Sequence, residues 1–131
     1  MSWAEALVVF AVCHLVGDFL FQTEWQAIHK HGGLGRDPVA RMALLSHVAT
    51  YSVAFLPAFV WVADNHGARV WAAVALVTIP HLLQDDGRAL MAYLRRVKHS
   101  DAGPGDFVFV MADQSLHSVA LLAAALAAAA S

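Results

Sequence analysis

The sequence predicts an all-α polytopic membrane protein, a four-helix bundle forming a single transmembrane domain over residues 1–131. Three observations lead there. Hydrophobic residues make up 60% of the chain and charged residues 14%, against roughly 45–50% and 25% in soluble domains. The apolar residues gather in four stretches, each close to the roughly 17–25 residues a spanning helix needs. In a bilayer core every backbone amide must be satisfied internally, so these stretches are helices rather than open strands. A net charge of -2 supplies no basic field, which excludes nucleic acid as a partner. The single cysteine, Cys13, excludes an internal disulfide and a multi-cysteine metal site.

The first span is expected at about residues 3–22. It lacks a basic leader region and a small-residue cleavage site and carries Asp18, so it reads as a retained helix. Gly32, Gly33 and Gly35 then break helix. Asp37-Pro38 is an N-cap with proline at the first helical position, opening a second span at 39–63. Asp64-Asn65-His66-Gly67 is a short turn, which makes the third span, 67–86, antiparallel to the second. Pro57 reads as ordinary proline tolerance in a membrane helix, whereas Pro80 is expected to kink the third span and aim His81 inward. Between Asp86 and His99, Leu90, Met91, Leu94 and Val97 recur at helical spacing among Arg88, Arg95, Arg96 and Lys98. That pattern suits a short amphipathic helix on the membrane surface, or simply the solvated end of the third span. Asp101 to Asp106, with Gly103-Pro104-Gly105, breaks the chain before a fourth span at 107–130, whose end, Ala123 to Ala130, reads as lipid-facing.

Orientation follows from Lys and Arg. Lys30, Arg36, Arg41, Arg88, Arg95, Arg96 and Lys98 fall in the first and third connections, and Arg69 alone on the other side. Positive residues stay cytoplasmic, so both termini face out. Trp3, Trp25, Trp61 and Trp71 lie near span ends, as interfacial aromatics do.

Each span carries one histidine: His14, His47, His81 and His117. Three also carry an aspartate at i, i+4 on the same face: His14 with Asp18, His81 with Asp85, and Asp113 with His117. At 1.5 Å rise per residue the histidines and Asp113 lie about 9–16 Å, and Asp18 and Asp85 about 5–6 Å, from the cytoplasmic helix ends. Seven costly residues from four helices thus share one layer. An unpaired charge there costs at least about 2.5–3.5 kcal/mol. No Lys or Arg is expected at that depth, which leaves the histidines, or a divalent cation, to neutralise the aspartates. Imidazole and carboxylate suit Zn, Fe or Mn, and bundle cores hold one or two such ions in this way. The candidate ligands are His14, Asp18, His47, His81, Asp85, Asp113 and His117. Gln22, Tyr51 and Gln114 are candidates for orienting them by hydrogen bonds. Asp18, Asp85 or Asp113 is the candidate general base. Arg88, Arg95 and Arg96 are candidates for holding the headgroup of a lipid or lipid-linked substrate.

The chemistry this allows is metal-dependent hydrolysis near the cytoplasmic leaflet. The alternative is a non-enzymatic ion- or proton-handling bundle, or an accessory subunit, whose polar layer is structural. A bis-histidine haem site is a weaker alternative, since the aspartates would crowd the macrocycle. The outer half holds few polar residues, chiefly Glu5, Thr50 and Ser52, which argues against a through-pore. His29, His31, His66 and His99 read as exposed loop residues, and a small bundle of this kind could form a homo-oligomer.

The segment His14-Leu-Val-Gly-Asp18-Phe-Leu-Phe-Gln22-Thr-Glu-Trp25 resembles the opening of a family of small bacterial membrane proteins, domain of unknown function 3307. Leu44-Leu45-Ser46-His47, His81-Leu-Leu-Gln-Asp85 and Asp113-Gln114-Ser-Leu-His117 resemble its later motifs, so the likeness covers nearly the whole chain. It departs at Asp86, where the family more usually has an aromatic or aliphatic residue. The resemblance implies four helices and a multi-pass protein of the bacterial cytoplasmic (inner) membrane, and it implies no particular activity.

Overall fold

The computed structural model describes residues 1–130, and it is all-α. Helix α1 (Trp3–Leu15) starts at Ser2, where Ser2 and Glu5 bond each other's backbone N–H in a capping box. It passes directly into a π-helical segment, Val16–Phe21, a rare form that tends to mark functional positions. A side chain at Gly17 would place its Cβ 2.5 Å from the Tyr51 ring. Glycine therefore lets this turn press onto the next long helix.

A short helix that the sequence reading took for a connection follows: α2 (Glu24–His29), capped by Thr23 and Gln26. Helix α3 (Pro38–Ala54) opens at Asp37, whose carboxylate accepts from the N–H groups of Val39 and Ala40. The expected straight second span at 39–63 is not one helix. It stops at Phe55, α4 (Leu56–His66) follows, and the helical run Leu56–Asp85 that α4 opens is bent 50° from Pro38–Ala54. The cause is Pro57, which lacks an N–H for the carbonyl four residues back and crowds it with its ring. Conversely, α5 (Val70–Asp85) runs unbroken through Pro80. Pro80 sits inside this continuous helix, one residue before the buried His81.

Between α4 and α5, Gly67 adopts φ +58° and a three-residue 3-10 turn, Gly67–Arg69, leads on. His47 and His81 meet across this connection, with ring nitrogens 3.2 Å apart, so the chain doubles back between them. Helix α6 (Arg88–Arg96) is the amphipathic segment foreseen in the third connection. Leu90 and Leu94 bury its apolar side against Phe109 of α7 (Phe107–Ala129).

Two helical runs, Trp3–Phe21 and Phe107–Ala129, are long and apolar enough to cross a membrane, and three are if the bent pair Pro38–Ala54 with Leu56–Asp85 counts as one. Helix α7 packs along α5 and α1. Its alanines make this close: Ala124, Ala125 and Ala128 are fully buried, while Ala123, Leu126 and Ala130 of the same stretch, expected to face lipid, stay exposed. The three buried alanines join Phe10, Phe55, Val62, Val77 and Leu121 in one apolar core. That core closes the side of the His/Asp layer toward the α4–α5 turn.

Candidate metal centre

Four elements bring one polar side chain each, or two, to a common point. Asp18 comes from the π turn, His47 from α3, His81 and Asp85 from α5, and His117 from α7, all buried. His47 Nε2 lies 2.8 Å from Asp85 Oδ2 and 3.4 Å from Asp18 Oδ1. His81 Nε2 lies 3.2 Å from Asp85 Oδ2, 3.7 Å from Asp18 Oδ1 and 3.2 Å from His47 Nε2. Metal–ligand bonds of about 2.0–2.1 Å put the ligands of a tetrahedral ion about 3.3–3.4 Å apart. These five separations scatter about that value, so Asp18, His47, His81 and Asp85 form a donor set of the right size for one divalent cation.

His117 adds a second indication. Its Nδ1 lies 2.8 Å from the Asp113 backbone carbonyl. A carbonyl only accepts, so Nδ1 carries the proton and Nε2 presents its lone pair. That lone pair has no hydrogen-bond partner and faces Asp85 Oδ1, itself unpartnered, at 3.5 Å. Two buried acceptors face each other, an arrangement that a cation or an added proton must relieve. Asp85 thus turns one oxygen toward His47 and His81 and the other toward His117, and with Asp113 and His117 it forms a second, three-donor group.

His14, a candidate ligand, is held differently. Tyr51 Oη lies 3.1 Å from its Nδ1 and Gln114 Oε1 2.9 Å from its Nε2. Gln114 in turn donates its amide to Asp113 Oδ2 at 3.4 Å. The Gln114 oxygen must therefore accept from His14 Nε2–H, and Tyr51 donates to Nδ1. Both nitrogens are in use. His14 stacks on His117 with ring centroids 5.2 Å apart, and Tyr51 stacks on His81 at 3.4 Å. Tyr51 and Gln114, the two candidates for orienting groups, thus each contact one nitrogen of His14. The histidine rings also pack against one another, His81 on His117 at 4.9 Å and on His47 at 5.1 Å.

One residue of the centre is not legible in the sequence, which places Lys30 in the first connection and expects no cation among the aspartates. Instead Lys30 is buried, with Nζ 2.9 Å from Asp85 Oδ2 and 2.8 Å from Gln22 Oε1. Gln22 therefore supports Lys30, not a histidine. Asp86 explains the placement. Its backbone oxygen accepts from Gly32 N–H and its carboxylate from Leu34 N–H, both at 2.8 Å. This ties the loop after α2 to the α5–α6 junction and carries Lys30 inward. His31, also expected to be solvated, is half-buried with its ring edge-on to Phe109. Burial, and the Lys30 charge beside it, push its pKa below that of a free imidazole. Gly87, at φ +74°, leaves the space that His31 fills; a Cβ there would lie 2.8 Å from His31 Nδ1.

Around the centre stand three carboxylates, Asp18, Asp85 and Asp113, and one ammonium, Lys30. With neutral imidazoles the charge deficit equals that of one divalent ion. A cavity of about 430 Å³ opens beside them, bordered by Asp18, Lys30, His31 and Asp113. The arginines proposed for headgroup binding do not line it. Arg88 Nε bonds Asp86 at 2.7 Å, and Arg95 and Arg96 are exposed on α6.

The family described as protein of unknown function (DUF3307) has a model that matches residues 6–131. The chain belongs to this family. No curated protein and no solved structure matches it. All seven His and Asp candidates of this chain lie in the matched range, and so does Lys30.

Proposed function

We propose that this DUF3307 protein is a membrane-embedded metalloprotein with a mononuclear divalent centre at Asp18, His47, His81 and Asp85. Zn, Fe and Mn all suit two imidazoles and two carboxylates. The observation that carries the reading is the set of five donor–donor separations, 2.8–3.7 Å, among buried atoms of four residues. The charge count supports one ion rather than two, because Lys30 already offsets one carboxylate. In this reading residues 1–131 form one four-span bundle of a bacterial inner membrane, its termini outside and the centre near the cytoplasmic leaflet. The span lengths of α1 and α7, and the Lys and Arg distribution, support that placement.

The chemistry that fits is hydrolysis of a lipid or lipid-linked substrate. A divalent ion in such a site polarises an oxygen and brings the pKa of a bound water to about 7. Asp113 is the best placed of the three candidate bases. It borders the cavity, is part-exposed, and stands outside the four-donor set. It accepts a proton from the attacking water, while Gln114 and His14 hold its orientation. Tyr51, through His14 and through its stack on His81, fixes two imidazoles.

A second reading, a proton-handling or accessory subunit, draws on the His47–His81 contact, since a shared proton also fits 3.2 Å. Elemental analysis of the detergent-purified protein, made without a His-tag, separates the two. The metal reading expects about one equivalent per chain, lost in His81→Ala and Asp18→Asn. No metal after reconstitution, or full stoichiometry in both variants, overturns it in favour of the second.

A further inference from the structure

The cavity beside the centre has an unusual distribution of polarity. Its deep wall is charged: Asp18 and Lys30 are only 8% and 7% exposed. Its mouth is apolar, with Phe19, Ile28 and Val110 exposed by 60%, 63% and 40%. Ligand sites are mostly apolar with a few placed polar groups; here those polar groups sit deepest and the apolar side chains outermost. Phe19 stands in the last turn of the first long apolar run, Trp3–Phe21, and Val110 in the first turn of the other, Phe107–Ala129. Ile28 and Trp25 project together, at i, i+3, from the outer side of α2, and both are exposed. Such a face seats a short helix at a bilayer interface. The opening is therefore bounded by side chains suited to acyl chains, and it lies between α2 and the near ends of α1 and α7.

We infer that this cavity is a lateral substrate chamber for a membrane lipid. The lipid enters sideways from the leaflet, lays its chain against Phe19, Ile28 and Val110, and turns an oxygen-rich, phosphoryl-bearing head toward Asp113 and the His/Asp centre. At about 430 Å³ the chamber lies within the roughly 300–1,000 Å³ typical of ligand sites. It has room for a head and the first part of a chain, with the remainder left in the bilayer. Lys30 and the amides of Gln22 and Gln114 line the head's end and offer it donors. Arg88, Arg95 and Arg96 take no part, since they lie outside the chamber. The head's position rests on the proposed metal centre; the lateral opening does not.

The test uses the full chain in phosphatidylcholine nanodiscs with a trace of phosphatidic acid carrying a diazirine near the top of one acyl chain. After irradiation, cross-links are mapped by mass spectrometry and metal content is measured on the same sample. Labelling at Phe19, Ile28 and Val110 is expected to exceed that at Val119 and Leu126, which are exposed by 65% and 49% on α7, by about fivefold or more. Excess unlabelled phosphatidic acid should suppress it. Val110→Trp, which fills the mouth, should abolish the excess while the metal content stays at the wild-type value. Even labelling over all exposed apolar residues overturns the chamber and leaves the metal centre standing. Concentrated labelling in a protein without metal supports the chamber and removes the hydrolase reading. Unchanged labelling in Val110→Trp that has kept its metal also overturns the chamber.

Discussion

Asp85→Asn is the most informative single perturbation, because Asp85 meets Lys30, His47, His81 and His117 at once. In metal-free protein the change leaves the Lys30 ammonium buried without its counter-charge. The two side chains are 9% and 1% exposed and 2.9 Å apart. Breaking one partner of such a pair costs about 3–5 kcal/mol, since the other charge remains out of water. Gln22 Oε1 still accepts from Lys30 at 2.8 Å, which sets the expectation at the lower end, about 3 kcal/mol. For a chain of this size each kcal/mol moves Tm by about 3–5 °C. Asp85→Asn should therefore melt about 10–15 °C below wild type after chelation, as followed by circular dichroism in detergent. The double variant Lys30→Met/Asp85→Asn removes both charges and should regain at least about half of that loss, a coupling of about 1.5–2 kcal/mol. Single and double variants that add independently would refute the buried pair. They would leave Lys30 as one more basic residue of the first connection.

Four further outcomes follow from the same geometry. His14→Ala should keep metal stoichiometry near one but weaken affinity about 10–100-fold, as expected of an orienting group rather than a ligand; loss of all metal would make it a ligand. Gly17→Ala, whose Cβ would meet the Tyr51 ring at 2.5 Å, should cost about 1–3 kcal/mol of stability, since Tyr51 is held by His81 and His14; an unchanged Tm would show that the π turn yields. His31 is held neutral by burial and by Lys30, so the unfolded chain binds its proton first as pH falls. Stability should drop below about pH 6.5, and His31→Gln should flatten that part of the acid limb; an identical limb in the variant would refute it. Arg95→Ala and Arg96→Ala, both exposed, should leave lipid labelling and metal content unchanged, and a loss of either would place α6 in the site.

The sequence by itself determined the helical class, the apolar runs that became α1 and α7, the amphipathic α6, and the residues of the polar layer. These are properties of local composition and of the 3.6-residue period. They can be read wherever a His and an Asp four apart share a face. Tyr51 and Gln114 were found the same way, one turn from a histidine or beside an aspartate. What the tertiary structure decided depends on contacts between distant segments. The π turn that sets Asp18 and the burial of Ala124, Ala125 and Ala128 follow from how neighbouring helices press together. Lys30 is the clearest case. Nothing in its neighbours marks it as buried. The loop that carries it is drawn inward by Asp86, 56 residues further along the chain. Likewise, His14 had the same claim to a ligand role as His81 until Tyr51 and Gln114 were seen to occupy both its nitrogens. An imidazole's role is fixed by what faces each of its two nitrogens, and those partners came from α3 and α7.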